Sequence, residues 1–117
     1  MMDIGLGQRI FDFIVKVIKY CRQLDKKTEN KIIQNQLIKS SSSSGANYEE
    51  AQSASSKADF KYKIDISLRE MRESNYWLRL INSLNKQNDE LSFLMKESDE
   101  LKNILGSISS KINMKLK

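Results

Sequence analysis

Residues Asp59 to Leu84 read DFKYKIDISLREMRESNYWLRLINSL, and the spacing of their apolar side chains decides the fold. The stretch contains neither proline nor glycine. Phe60, Ile64, Leu68 and Met71, then Leu78 and Ile81 beyond the polar Asn75, recur at helical spacing and form one core-facing stripe. A second set, Tyr62, Ile66, Trp77, Leu80 and Leu84, lies beside it. At about 1.5 Å per residue the segment makes a rod of roughly 39 Å. Two apolar stripes exceed what one neighbouring helix covers. The rod therefore needs several partners, from the same chain, from other copies, or from both, and is read as the central helix of an all-α bundle.

Working outward, Ser56 and Asp59 have the spacing of a capping box, which starts this helix at about residue 57. The polar cluster Asn85 to Asn88 ends it by about residue 87 and supplies a cap for the next. That fourth helix, about 89–113, carries Leu91, Leu94, Met95, Ser98, Leu101, Leu105, Ile108 and Ile112 near heptad spacing, so it packs at a shallow angle. Gly106 lies within it, and Met114 to Lys117 are expected to fray.

Upstream, Ile32, Ile33, Leu37 and Ile38 begin a helix of about 29–54. The run Ser40 to Ser44, with Gly45, Ala46 and Asn47, admits two readings. By composition it is a flexible linker. Alternatively the helix continues, its side chains small because another helix packs very close, with Tyr48 and Ala51 carrying the buried stripe onward. The first helix spans about 8–26, with Ile10, Ile14, Val17, Cys21 and Leu24 widened by Phe11, Phe13 and Ile18. Gly5 and Gly7 oppose helix, so residues 1–7 are expected to fray. Short connections between four helices predict one domain, an antiparallel up-down-up-down four-helix bundle.

The 117 residues carry a formal net charge of +5. Residues 1–27 hold six Lys/Arg against three Asp/Glu and residues 59–87 hold six against four, while residues 28–58 and 88–117 balance. The surplus thus lies on the first and third helices. There is no histidine and one cysteine, so His-dependent triads, His/Cys zinc sites and an intrachain disulfide are excluded. No run approaches the ~18 apolar residues of a membrane span. The run Ile10 to Ile18 is interrupted by Asp12 and Lys16, unlike a signal peptide. A cytoplasmic protein without a membrane is the expectation.

Paired acids occur at Glu49–Glu50, Glu70–Glu73 and Asp99–Glu100, but without histidine they lack the ligand pattern of a bundle di-iron site. No metal, no cofactor and no catalysis are expected. On the first helix Arg9, Asp12, Lys16, Lys19, Gln23 and Lys26 share the polar face. It is either a solvated surface or a strip that tracks phosphates when repeated in an assembly. On the central helix Arg69, Arg72, Tyr76 and Arg79 share a face, with Lys61 up the same side. Basic groups around an aromatic suit nucleic acid, and equally suit acids on a neighbouring helix. Tyr76–Trp77 at helical spacing fits core or interface packing, and Cys21 a small core residue.

Leu37 to Ile81 also carries a resemblance. Ser44-Gly45-Ala46-Asn47-Tyr48, Glu50-Ala51, Asp59-Phe60, Glu70, Arg72-Glu73 and Tyr76-Trp77-Leu78 together resemble the bacterial four-helix-bundle family encoded in intervening sequences of large-subunit ribosomal RNA genes. The chain departs from that pattern in its pure serine run, where relatives often mix Ala, Thr and an apolar residue. The resemblance implies that the run is helical and that copies assemble as homopentamers. The family is similar to the accessory variability protein of diversity-generating retroelements, a basic pentameric barrel that binds nucleic acid and its reverse transcriptase. The expected function is therefore a non-enzymatic oligomer that binds RNA or a ribonucleoprotein through Arg9, Lys16, Lys19, Lys26, Arg69, Arg72 and Arg79. The alternative is a protein-interaction scaffold, for example a reverse-transcriptase accessory. Asn47 and Glu50 are expected to hydrogen-bond to Arg69, Arg72 or Tyr76 on the central helix and fix register.

Overall fold

The computed structural model describes the backbone of residues 4–116 and the side chains of residues 5–112. Its helices are α1 (Ile4–Cys21), α2 (Thr28–Ala51), α3 (Lys57–Leu84) and α4 (Asp89–Leu116), and the described residues contain no strand. Cross-helix contacts give the directions. Ser40 meets Ser74, Ser44 meets Ser67 and Asn30 meets Asn85, so numbers rise along α2 as they fall along α3. Asp65–Ser109 and Asn75–Ser98 run α4 back along α3. Arg9–Glu97 and Lys16–Phe93 do the same for α1 and α4, and Gly7 beside Tyr48 with Gly45 beside Ile14 for α1 and α2. Every neighbouring pair is antiparallel. α1 packs on α2 and α4, α3 packs on α2 and α4, and the diagonal pairs stay apart. The bundle is a rod of 47 × 22 × 19 Å.

The core follows the expected stripes. Ile64, Leu68, Met71, Leu78 and Ile81 of α3 are buried with Leu37 and Tyr48 of α2, Ile10, Phe13 and Val17 of α1, and Leu91, Leu94, Leu101 and Leu105 of α4. The second stripe of α3 divides. Trp77 and Leu80 pack on the edge of the core, while Tyr62 is 63% exposed and Leu84 is half exposed.

The serine run is helix, and the close-packing reading holds. Ser40 and Ser44 are buried where α2 crosses α3, a face with room for hydroxymethyl groups and little else, and Ser41 is buried with its hydroxyl on Ile38 O of its own helix. Ser40 Oγ and Ser74 Oγ lie 2.8 Å apart, Ser44 Oγ donates to Ser67 O at 2.8 Å, and Ser67 Oγ returns a bond to Ser44 O at 2.8 Å. A buried hydroxyl without a partner is costly. Among the described residues no buried side-chain polar atom lacks one. On its other side the run reaches α1 through Gly45, where a Cβ would fall 2.4 Å from Ile14 Cδ1.

Boundaries differ from the sequence reading at several ends. α1 begins by Ile4 because Leu6 is buried and Gly7 lies against the Tyr48 ring, so packing outweighs the glycine penalty. Residues 1–3, expected to fray, lie outside the described residues. α1 stops at Cys21 rather than about residue 26: Gln23 N donates to Tyr20 O and Leu24 N to Cys21 O, tight turns that end the helix. Lys26 therefore sits in the connection. α2 closes at Ala51 and α3 at Leu84, each about three residues early. α4 runs on to Leu116 through part of the tail expected to fray, and Lys117 lies outside the described residues. The caps are as expected: Asp59 N donates to Ser56 Oγ at 3.0 Å and Leu91 N to Asn88 Oδ1 at 2.9 Å. The Asp59 carboxylate accepts from Ser55 N rather than from Ser56 N.

The expectation for Asn47 and Glu50 is corrected. Asn47 Nδ2 bonds within its own helix, to Ser43 O at 2.9 Å and Ser43 Oγ at 3.3 Å, and Glu50 is exposed, its side chain making no hydrogen bond or ion pair with the described residues. The Ser44–Ser67 and Ser40–Ser74 crossings set the register, which leaves Tyr76 about three helical turns from Asn47. Register is held instead by the serine pairs, by Asn30–Asn85 and by Asn75–Ser98.

Candidate nucleic-acid interface

Helix periodicity puts Arg69, Arg72, Tyr76 and Arg79 on one outward face of α3, and all four are exposed. Arg69 and Arg72 form no salt bridge with the described residues. Arg79 is held more firmly: its Nε donates to Asn75 Oδ1 at 3.0 Å, and its guanidinium carbon lies 5.8 Å from the Tyr76 ring centroid. Tyr76 in turn packs edge-on against Trp77 with centroids 4.9 Å apart, and Trp77 Nε1 donates to Glu73 Oε2. Lys61 pairs with Asp65 rather than joining the strip.

The α1 set is less uniform. Arg9 is committed to α4 by a fork on Glu97 at 2.8 and 2.9 Å and a further bond to Glu100 at 2.6 Å. Those hydrogen bonds, Glu97 first, push its pKa above the ordinary arginine value. Lys16 Nζ sits 4.5 Å from the Phe93 centroid, a cation–π contact that leaves the ammonium exposed. Lys19 and Lys26 are exposed and form no salt bridge with the described residues. Because α1 and α3 are diagonal, the two basic sets face different sides of one chain.

Sequence reading missed the polar wall opposite Arg79. Lys96 of α4 and Asn82 and Gln87 near the α3–α4 turn line one cleft with Arg79 and the buried Asn75. Segment charge gave no signal, since residues 88–117 balance and hide Lys96. The relevant pattern, Asn75 and Arg79 four apart with Ser98 and Lys96 about one antiparallel turn away, appears only once the helices are paired.

Elsewhere the side chains are chemically quiet. Burial pushes the Cys21 thiol up to about 11, which keeps it protonated and unreactive at neutral pH. Burial likewise raises Tyr20, with Cys21 and Glu90 adding to the effect. Among the described residues no three His, Cys, Asp or Glu groups gather as a metal site, and no helix is long and apolar enough to cross a membrane.

A small antiparallel four-helix bundle with a close serine crossing and exposed basic faces is the class of protein these features define. The family model of the 23S rRNA-intervening sequence proteins matches residues 2–107, and the chain belongs to that family. A crystal structure of a protein of unknown function from the S23 ribosomal protein family of Bacteroides thetaiotaomicron is similar, with a TM-score of 0.80 and 28% identity, covering 89% of this chain and 97% of that one. No curated protein matches.

Proposed function

We propose that this protein is a non-enzymatic, self-associating helical bundle that binds RNA through its basic helix faces. The observation that carries the reading is the exposed α3 strip: Arg69 and Arg72 form no salt bridge with the described residues, Arg69 acting on Asp65 only as a nearby charge, and Arg79 is steadied by a neutral amide and an aromatic ring. The family name, which ties its members to 23S rRNA intervening sequences, supports RNA as the nucleic acid. Lys and Arg on a convex surface supply affinity for phosphates and little base specificity. Self-association into a pentamer joins strips that one chain keeps on opposite sides, and supplies a use for exposed apolar side chains such as Phe11 and Tyr62.

Anisotropy of structured and single-stranded RNA across a salt series tests this. Tight binding whose log K falls steeply with log salt is expected, at about 0.7–0.9 per phosphate neutralised. Absence of binding even at low salt would falsify the reading. A second reading, a scaffold for a protein partner such as a reverse transcriptase, is favoured by the open apolar groove between α1 and α2, lined by Phe11, Ile14, Ile18 and Ala46. Co-purification that survives nuclease treatment would select it.

A further inference from the structure

We propose that the cleft between the C-terminal half of α3 and the N-terminal half of α4 binds one nucleotide phosphate, held by Arg79 and Lys96 with the side chains of Asn82, Gln87 and Ser92 beside it. The proposal deepens the RNA reading and rests on it for the source of the phosphate. The cleft has a volume of about 740 Å³, within the range of small-molecule sites. Three observations mark it as a built site rather than a gap between helices.

Arg79 is pre-organised. Its Nε donates to Asn75 Oδ1 at 3.0 Å, and Asn75, only 7% exposed, donates from Nδ2 to Ser98 Oγ at 2.9 Å and to Met95 O at 3.3 Å. An amide buried at the α3–α4 seam thus anchors an exposed guanidinium, with the Tyr76 ring beside it. Both Nη groups make no hydrogen bond or ion pair to the described residues, so the fork suited to phosphate oxygens is unspent. Holding the side chain in advance lowers the entropy lost on binding.

The charge balance of the lining also favours an anion. Lys96 forms no ion pair with the described residues, and the lining acid Asp99 is engaged by Lys102 at 2.8 Å. The remaining polar lining, Asn82, Gln87 and Ser92, offers neutral donors without adding negative charge. Their chemistry suits a sugar hydroxyl or a base edge next to the phosphate. Asn75 is a positioning residue: it acts on the ligand through Arg79.

The test uses the full chain and a labelled short oligouridylate, with uridine 5′-monophosphate, uridine and inorganic phosphate as competitors. Uridine 5′-monophosphate is expected to displace the RNA, inorganic phosphate to do so more weakly, and uridine not to compete. Arg79→Gln combined with Lys96→Gln should weaken RNA binding by about tenfold or more and abolish the competition. Arg69→Gln combined with Arg72→Gln should weaken RNA binding while leaving the monophosphate affinity unchanged. Asn75→Leu, if folded by circular dichroism, should weaken monophosphate binding although it touches no ligand. RNA binding that the monophosphate does not contest, or that the Arg79 and Lys96 changes leave intact, overturns the cleft and leaves the RNA reading standing. Monophosphate binding without RNA binding supports the cleft with a free nucleotide as its source and removes the RNA reading. Binding of neither overturns both.

Discussion

Two glycines in helices do opposite things at the level of single atoms. Around Gly106 a Cβ would meet nothing within 4 Å, so its only effect is the backbone freedom it leaves in the unfolded chain. Gly106→Ala is expected to stabilise the fold by up to about 1 kcal/mol, read as a higher urea midpoint at unchanged slope. Gly45 is constrained by packing: a Cβ there would fall 2.4 Å from Ile14 Cδ1 and 3.4 Å from Ile10 Cγ2. The nearer atom is the far end of a flexible side chain beside an open groove, so Gly45→Ala should be close to neutral as Ile14 turns aside. Gly45→Leu has no such escape and is expected to destabilise by about 1–3 kcal/mol in the same measurement. Equal stability of the Leu and Ala variants would mean α1 is not seated on α2 as described.

Between elements, the α2–α3 seam depends on small side chains. Ser44 faces Ser67 with reciprocal bonds to each other's backbone carbonyls. Ser44→Ala removes one of these and is expected to cost about 0.5–1.5 kcal/mol. Ser44→Leu forces the helices apart and should cost about 1–3 kcal/mol or more by thermal or urea unfolding, although leucine is the better helix former. The α3–α4 seam has an acid-dependent tie in Asp65, which accepts from Ser109 Oγ and pairs with Lys61. Burial pushes its carboxyl up, but the bonds from Lys61 and Ser109 and the charges of Lys61 and Arg69 outweigh this and hold it below the usual 3.8. A depressed carboxyl stabilises the fold above its unfolded pKa and loses that contribution as pH falls through the folded one. Asp65→Asn should therefore lower the urea midpoint at pH 6, with the gap from wild type closing below about pH 4. A gap that does not narrow at all between pH 6 and pH 3 would assign the loss to packing instead.

These seams also show what sequence alone can carry. The stripes of α3 and α4 were legible because periodicity along one helix reports its buried face. The Ser40–Ser44 run was ambiguous for a physical reason: small polar side chains are what a linker uses and also what a close helix crossing requires. Composition cannot separate the two, and the family resemblance decided it. The axial register between α2 and α3 is not encoded in either helix alone, so sequence points Asn47 at α3 where the fold gives it Ser43 of its own helix. The cleft around Arg79 was hidden for the same reason, since Lys96 and Asn75 become neighbours only through antiparallel pairing.

For the whole molecule, charge and shape make opposing demands that self-association would reconcile. One chain carries a formal +5, a modest field, with its α1 and α3 basic sets on different sides. It also exposes Phe11 at 62% and Tyr62 at 63%, large apolar groups on different helices. Association that buried such groups would bring basic strips from separate copies together, and five copies would carry a formal +25 (five times +5), enough to attract phosphate strongly. Assembly and RNA binding should then fail together. Phe11→Glu and Tyr62→Glu place a charge where an apolar contact would form, without touching the basic residues. A variant of this pair that sediments as a smaller species is expected to bind RNA more weakly, with a shallower fall of log K against log salt. Arg69→Gln combined with Arg72→Gln should do the converse, keeping the wild-type mass while lowering the slope by roughly 1.5 if each arginine neutralises one phosphate. A variant reduced to single chains that keeps the wild-type affinity and slope would place the whole interface on one bundle, and would remove the need for assembly from the account of binding.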